Sequence, residues 1–328
     1  MDLIKLTESG FYCPAGDFYI DPWKPVNKAL ITHGHADHAL WGSQHYLASR
    51  PSSYILRKRI GGKYDLQTLD YGEKIKIKEV KVSFHPAGHI LGSAQIRLEY
   101  YGEVWVISGD YKIGSDPTCT PFEPQRCHTF ITESTFALPI FCWKPDSEIF
   151  TEINEWWRQN QESGKVSLLF AYSLGKAQRV LAGVDATIGP IYVHGSVDKM
   201  NECYREAEVK LPKNMPIGTI KDKKRLRGAL VIAPSSANNR PWLRKFPEYS
   251  RAFTSGWMQI RQNRQQLDID RGFALSDHAD WSGILQAVKE SYAEKIWVTH
   301  GYVDVLAHWL QEQDYNVWAV PTSLSREN

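Results

Sequence analysis

The sequence has few cysteines and no long apolar stretch. Five cysteines occur among 328 residues, the number is odd, and no two of them are spaced as CxxC. This pattern argues against a structural zinc–thiolate site. No apolar run approaches the roughly 18 residues that cross a bilayer, and the opening segment MDLIKLTESGFYC lacks the pattern of a signal peptide. We therefore expect a cytoplasmic protein with reduced thiols and no membrane association.

The sequence also lacks the composition of a disordered chain and contains no internal repeat. Hydrophobic residues make up 42% and charged residues 23% of the chain, which is the ordinary balance of a globular protein. At about 150 residues per domain, the length indicates two domains or one large domain.

The charge of the chain is almost balanced but unevenly distributed. The formal net charge is +2, yet the segment 210–271 holds fourteen basic and four acidic residues. An excess of this size favours an anionic partner that touches one face of the protein. An ordinary solvated basic surface is the alternative.

The pattern of apolar residues changes along the chain. The first 110 residues contain short runs rich in Val, Ile, Tyr and Phe, such as KALIT, AQIRLEY and EVWVIS, which predict β-strands. After about residue 146, strand-like and helix-like segments alternate, as in VSLLFAY followed by LGKAQRVLAG. This alternation is typical of α/β units.

Histidine gives the strongest chemical signal. The string ITHGHADH places His33, His35, Asp37 and His38 within six residues, directly after the apolar run KALIT. Imidazole nitrogen together with carboxylate oxygen suits zinc and similar divalent ions. Several donors of these types at the end of a strand therefore predict a metal site.

Three further candidate ligands follow apolar runs elsewhere in the chain. His89 comes after KVSFH, Asp110 after EVWVIS and His300 after KIWVT. Metal hydrolases assemble their sites from loops at the ends of strands, so these three donors are expected to join the first four.

The motifs HGHADH, GH, SGD and THG resemble the successive ligand motifs of the metallo-β-lactamase fold. The resemblance implies an α/β fold, a four-layer αβ/βα sandwich, with two divalent metal ions, zinc or manganese, at one edge. It implies that the first ion is held by His33, His35 and His89, the second by Asp37, His38 and His300, and that Asp110 bridges both.

Two more motifs resemble the β-CASP branch of nucleic-acid-processing enzymes. They are ITESTF, with Glu133 and Ser134, and LSDHADW, around His278. The segment AYSLGKAQRVL resembles a helix of that branch's inserted α/β domain. The implied division is a first part over 1–145, the inserted domain over 146–268, and a C-terminal part over 269–328.

The whole chain is similar to bacterial proteins named ligase-associated DNA exonucleases, which also carry the label of mRNA 3′-end processing factors. The resemblance implies a two-metal phosphodiesterase, a DNA exonuclease directed to 5′ ends in DNA repair, with a DNA ligase or helicase as partner. It assigns catalytic roles to Asp37, Asp110, Glu133 and His278. In this interpretation His278 binds a phosphate oxygen or protonates the leaving oxygen, and Glu133 orients it.

The predicted contacts to nucleic acid are Ser134, Lys224, Arg225 and Trp257. The basic residues could follow phosphates and the tryptophan could stack on a base. An RNA-processing nuclease with the same site is the main alternative. A small-molecule metallo-hydrolase is a further alternative that the large basic insertion disfavours, and a catalytically silent scaffold is disfavoured because all seven ligands are present.

Overall fold

The computed structural model describes residues 2–61, 64–267 and 269–321. The chain divides into two compact units. Residues Met1–Cys142 and His278–Asn328 form the first, here called the split unit, and Trp143–Asp277 form the second, the inserted unit. Among the described residues, none of the helices has the length and apolarity required to cross a membrane.

The split unit begins with a six-stranded sheet whose strands lie in chain order. Its strands are β1 (Lys5–Thr7), β2 (Gly10–Cys13), β3 (Phe18–Ile20), β4 (Lys28–Ile31), β5 (His45–Ser49) and β6 (Asp65–Leu69). The first three pair antiparallel, and β3 to β6 pair in parallel. Helix α1 (Ser53–Arg59) follows β5.

The second sheet of the split unit has seven strands, in the order β19-β18-β11-β10-β9-β8-β7. Its strands are β7 (Lys74–Ile77), β8 (Val80–Pro86), β9 (Ala94–Tyr100), β10 (Glu103–Ile107), β11 (Thr129–Ser134), β18 (Lys295–Gly301) and β19 (Asn316–Ala319). The four strands from β10 to β19 pair in parallel, so β10, β11 and β18 end at one edge of the sheet.

Alternation of apolar residues lets each sheet bury both of its faces. In β10, Trp105 and Ile107 enter one core cluster together with Leu30 of β4 and Leu47 of β5, so one cluster contains residues of both sheets. The intervening residue Val106 packs instead in a second cluster. Period-two alternation with both faces apolar is what a strand covered on both sides requires.

Helices cover the outer faces of the two sheets. Helices α7 (Trp281–Ser291) and α8 (Val303–Glu312) contribute Ile284 and Leu306 to the cluster that holds Val106. Helix α1 contributes Leu56 to a cluster with Ile31 of β4. Each helix buries the apolar stripe expected for a helix on a sheet.

The inserted unit contains a six-stranded sheet in the order β14-β13-β15-β12-β16-β17, in which every pair is parallel. Its strands are β12 (Val166–Phe170), β13 (Ile191–Val193), β14 (Met215–Pro216), β15 (Leu230–Ala233), β16 (Tyr249–Thr254) and β17 (Arg271–Phe273). Its helices are α2 (Asp146–Glu162), α3 (Lys176–Gly183), α4 (Gly195–Glu206), α5 (Arg240–Leu243) and α6 (Arg261–Gln266).

The boundaries of the inserted unit differ from those that the sequence indicated. The unit begins at Trp143 and ends at Asp277. Strand β17 pairs with β16, and this parallel pairing places a stretch that the sequence had assigned to the C-terminal part in the inserted sheet. Residue 268, the predicted boundary, lies outside the described residues.

The shared core of the split unit predicts the effect of one substitution. Leu98 of β9 is fully buried in the cluster that both sheets form. Leu98→Ala is expected to destabilise the unit by about 2–5 kcal/mol, because truncation leaves a cavity between packed sheets. Urea unfolding measures this, with Val305→Ala on the exposed face of α8 as the control that should change stability by less than about 0.5 kcal/mol. An unchanged midpoint for Leu98→Ala would contradict the shared core.

Candidate metal centre

The seven predicted ligands all lie in turns and strand ends of the split unit. The turn after β4 carries His33, His35, Asp37 and His38, and the turn between β8 and β9 carries His89. Asp110 follows β10, and His300 is the penultimate residue of β18. Parallel strands that end at one edge of a sheet bring such side chains to the same place.

The structure brings the seven side chains together in two groups. The first contains His33, His35, His89 and Asp110, and the second contains Asp37, His38 and His300. Within each group the donor atoms lie within 4.8 Å of one another. The first group holds the three histidines that the resemblance assigns to one ion, together with Asp110, and the second holds the three side chains that it assigns to the other ion.

The spacing inside the first group fits a tetrahedral ion. His35 Nδ1 lies 3.2 Å from His33 Nε2 and 3.1 Å from His89 Nε2. Asp110 Oδ2 lies 3.4 Å from His33 Nε2 and 3.7 Å from His89 Nε2. Ligands bound at about 2.0–2.1 Å in tetrahedral geometry are about 3.3–3.4 Å apart, which is the spacing of these atoms.

Asp110 presents one oxygen to each group. Its Oδ2 faces the first group, and its Oδ1 lies 3.5 Å from His38 Nε2 in the second. His38 Nε2 also lies 3.6 Å from Asp37 Oδ2, and this buried nitrogen has no hydrogen-bond partner among the described residues. A buried nitrogen that faces two carboxylate oxygens without a hydrogen bond fits a lone pair that a cation would accept.

Hydrogen bonds on the far side of the rings determine which nitrogens face the centre. His38 Nδ1 lies 2.8 Å from Asp21 Oδ2, and His33 Nδ1 lies 3.1 Å from Thr32 Oγ1. Thr32 in turn donates its hydroxyl and its backbone N–H to Asp21. Both imidazoles therefore carry their proton on Nδ1, and Nε2 is left to bind a metal.

Sequence reasoning missed Asp21 and Thr32. The signal was present, because Asp21 follows the apolar run FYI in the way that Asp110 follows EVWVIS. Asp21 also has a left-handed backbone with φ 41°.

A bulge aims His300 at the second group. The pairing of β11 with β18 runs from Glu133 opposite Thr299 to Ser134 opposite Gly301, so His300 is the extra residue between them. Its backbone is left-handed, with φ 55°. Bulges and strained backbones are frequent where a strand redirects a functional side chain.

Helix α1 supports the turn that carries most of the ligands. The guanidinium of Arg59 donates to the carbonyl of Gly34, which lies between His33 and His35. A Cβ on Gly34 would approach Ile55 of the same helix to 2.6 Å. The sequence indicated Arg57, Lys58 and Arg59 as a small basic cluster that could contact nucleic acid, and the structure places Arg59 behind the ligand turn.

Burial and charge oppose each other in the centre. Burial lowers the pKa of His33 well below its ordinary value, and neighbouring His38 lowers it further. Burial and His38 also lower the pKa of His300 to about 4. Burial acts against a charged His38, but Asp110 and Asp21 outweigh it and raise the pKa of His38 to about 10. Neutral rings are the form that binds metal. The carboxylates around His38 favour a positive charge at this position, which a bound cation would supply in place of a proton on Nε2.

Beside the first group lies a histidine that is paired with a carboxylate. His278 Nδ1 is 2.9 Å from Glu133 Oε2, and the rings of His278 and His89 are 4.6 Å apart. Burial would raise the pKa of Glu133, but His278 outweighs it and holds that pKa below its ordinary value. Glu133 also accepts from the backbone N–H of Tyr111 at 2.7 Å and from the hydroxyl of Thr135. An ionised carboxylate only accepts hydrogen bonds, so Nδ1 of His278 carries a proton.

The four predicted nucleic-acid contacts are placed differently from one another. Ser134 is fully buried and donates its hydroxyl to the carbonyl of Thr299 at 3.0 Å, so it holds β18 beside the bulge instead of facing a ligand. Lys224 and Arg225 are exposed in a 3-10 turn of the inserted unit. Trp257 is half-buried and packs against a core cluster of that unit. The burial of Ser134 does not favour a contact to nucleic acid, and all four contacts stay predictions.

Comparison with known proteins finds relatives of two kinds, one named as a DNA ligase and others named as ribonucleases. No family model matches the chain. It is 27% identical over 316 residues to "Probable DNA ligase" of Opitutus terrae, a match that covers 95% of this chain and 30% of that protein. It is 29% identical to "RNase J-like protein" of Methanocaldococcus jannaschii, over 40% of this chain and 34% of that one. It is 26% identical to "Endoribonuclease YSH1" of Kluyveromyces lactis, over 34% of this chain and 19% of that protein.

These relatives confirm the resemblance to β-CASP nucleases of the metallo-β-lactamase fold and to ligase-associated nucleases. The chain spans about a third or less of the length of the curated relatives that it matches. The chain also resembles a solved structure, "Crystal Structure of a Protein of Unknown Function from Enterococcus faecalis V583". The match covers 90% of this chain and 79% of that one, with a TM-score of 0.60 and 13% sequence identity. That likeness concerns the fold alone.

The contact between Asp21 and His38 predicts a selective loss of metal affinity. Asp21→Asn removes the ionised acceptor that orients His38, so the second group should bind a divalent ion about 10–100-fold more weakly. The first group should lose less affinity, because Asp21 reaches His33 only through the hydroxyl of Thr32. Competition titration with a chelator measures both sites, and Asp65→Asn, an exposed carboxylate beside His45, is the control. Equal affinities in Asp21→Asn and the parent chain would contradict this role.

Proposed function

We propose that the chain is a metal-dependent nuclease that hydrolyses phosphodiester bonds in DNA. The observation that carries this proposal is the convergence of seven candidate ligand side chains in two groups. Asp110 presents one oxygen to each group, and the pair of His278 and Glu133 lies beside them. The proposal includes the αβ/βα sandwich of the metallo-β-lactamase fold and an inserted β-CASP domain. Two mixed sheets with a common core and helices on their outer faces support it.

Two divalent ions are proposed at this centre. His33, His35, His89 and Asp110 would hold one, and Asp37, His38, His300 and Asp110 the other. When bound, a pair of ions supplies a water that is acidic enough to attack at neutral pH and offsets charge on the phosphate oxygens. Nitrogen and carboxylate ligands suit zinc and manganese alike, and zinc is favoured by the tetrahedral spacing in the first group.

His278 is proposed to act on the substrate. Its Nδ1–H is held by Glu133, so the ring presents Nε2 on its opposite side. The ionised Glu133 stabilises a positive imidazolium. In that form the ring donates a hydrogen bond from Nε2 to a phosphate oxygen or transfers the proton to the leaving oxygen.

DNA is favoured over RNA by the extent of the matches. The relative whose name specifies DNA matches 95% of this chain, whereas those named for RNA match 34–40%. A match over nearly the whole chain includes the inserted unit, where the basic block lies. RNA is the second candidate because two of these relatives are named for it. A DNA ligase is the proposed partner, since the matching region is 30% of a protein with that name.

The remaining details of the proposal come from the family resemblance. They are removal of nucleotides from 5′ ends, a role in DNA repair, a helicase as an alternative partner, and a cytoplasmic location. Lys224, Arg225 and Trp257 are proposed as contacts to the strand, and the exposure of the two basic residues supports their part.

A digestion assay tests the proposed activity. DNA labelled at the 5′ or 3′ end, single- or double-stranded, is offered with zinc or with manganese beside a matched RNA. Early release of a labelled 5′ nucleotide from DNA is the expected result, and Asp110→Ala should abolish it, because both groups lose a shared ligand. Cleavage of RNA alone would overturn DNA as the substrate, and no cleavage of either would overturn the nuclease.

The role of His278 has a separate test. His278→Ala should lower kcat about 10²–10⁴-fold, the usual contribution of a general acid. Its content of bound metal should equal that of the parent chain, since His278 belongs to neither of the two proposed ligand sets. His308→Ala, an exposed histidine on α8, is the matched control. Full activity in His278→Ala would contradict proton donation by this residue.

A further inference from the structure

The sheet of the inserted unit has a point where its strand order reverses. From β12 the chain passes through α3 to β13 on one side, and from β15 it passes through α5 to β16 on the other side. Since β12 and β15 are neighbours, the connections leave them in opposite directions. In open parallel sheets, ligands bind at the carboxyl ends of the strands at such a point. The loops that follow these strands are therefore a place for a ligand.

Three polar side chains meet at this edge. Ser173 follows β12, His194 follows β13, and Ser196 lies in the first turn of α4. Ser196 Oγ is 2.9 Å from Ser173 Oγ and 2.8 Å from His194 Nδ1. The backbone N–H of Ser196 also donates to His194 Nδ1, at 3.1 Å.

These contacts determine where His194 carries its proton. Nδ1 accepts from a backbone N–H, so it is unprotonated, and the hydroxyl of Ser196 donates to it as well. Burial and the ammonium of Lys245 lower the pKa of His194, which agrees with a neutral ring. A neutral ring with a bare Nδ1 carries its proton on Nε2. His194 therefore directs one N–H donor away from the cluster.

Hydrogen bonds to buried amide side chains hold the loop that carries Ser173 in place. Gly175 has φ 91°, and its N–H donates to Gln178 Oε1 at 2.8 Å. Gln178 Nε2 donates to the carbonyl of Ser173 at 3.1 Å and to Asn201 Oδ1 at 2.8 Å. Gln178 and Asn201 are both fully buried. A surface loop fixed by buried amides is organised before any ligand arrives, which lowers the entropic cost of binding.

The surroundings of the cluster suit a nucleotide. Tyr172, next to Ser173, is 52% exposed, and Lys245 is exposed and close enough to act electrostatically on His194. We propose that this cluster binds one nucleotide of a nucleic-acid strand. A phosphate accepts from His194 Nε2–H near the charge of Lys245, and a base stacks on Tyr172. This inference rests on the proposed function, because it takes the substrate to be nucleic acid.

Equilibrium binding tests the site. Fluorescence anisotropy follows a short labelled single-stranded DNA as the full chain is added, in EDTA so that hydrolysis stops. His194→Asn keeps a good N-cap residue for α4 but shortens the outward donor, and about tenfold weaker binding is expected. His194→Gln places an amide N–H nearer the position of Nε2 and should recover part of the loss. Tyr172→Ala should weaken binding about five- to 150-fold, the usual range for one stacked base.

Matched variants control for general effects. His308→Asn and Tyr101→Ala replace exposed residues of the split unit and should bind within twofold of the parent chain. DNA with a 5′ phosphate and DNA with a 5′ hydroxyl are compared. A loss confined to phosphorylated DNA identifies a terminal phosphate as the ligand, and an equal loss identifies an internal phosphodiester. Either result supports the site.

The outcomes distinguish failure of the proposed nucleotide site from failure of the proposed nuclease activity. Parent-like binding by both His194→Asn and Tyr172→Ala overturns the site, even if the parent chain digests DNA. Binding that depends on His194 in a chain that digests nothing keeps the site and overturns the nuclease. Absence of DNA binding by the parent chain overturns the site, and the digestion assay alone then decides whether the chain is a nuclease.

Discussion

Three imidazole nitrogens and a carboxylate oxygen face one another at 3.1–3.7 Å in the buried centre of the split unit. Lone pairs brought this close in a low-dielectric interior repel unless a cation or a proton lies between them. Burial disfavours a charged His33, and imidazole and carboxylate donors at these distances suit a divalent metal ion. The ends of the surrounding strands and turns, together with the bulge at His300, serve to hold this arrangement.

The arrangement depends on contacts outside the ligands. Asp21 and Thr32 hold the far sides of His38 and His33, and Glu133 does the same for His278. Each contact selects the ring nitrogen that faces the centre, which a ligand set alone does not determine. Asp21 lies just beyond β3 and Glu133 on β11, so rigid strands keep these rings in place. The same logic recurs in the inserted unit, where Ser196 selects the proton position of His194.

The sequence indicated the candidate ligands because their chemistry is local. HGHADH puts four donors in one turn, and alternating apolar runs predicted the strands that precede the others. Asp21 was missed although it occupies a strand end of the same kind. The burial of Ser134 was not foreseen, because it depends on the pairing of β11 with β18, between residues 165 positions apart. The meeting of Ser173 with Ser196 depends likewise on the strand order of a parallel sheet, which local patterns do not determine.

The central claim is that the seven ligands hold two ions that share Asp110. X-ray diffraction from crystals of the chain grown with zinc and with manganese, recorded at the absorption edge of each metal, locates the ions directly. The account predicts two anomalous peaks about 3.5–4 Å apart, the separation usual in two-metal sites, one in each ligand group and both beside Asp110. A single peak, or two peaks of which neither touches Asp110, would contradict it.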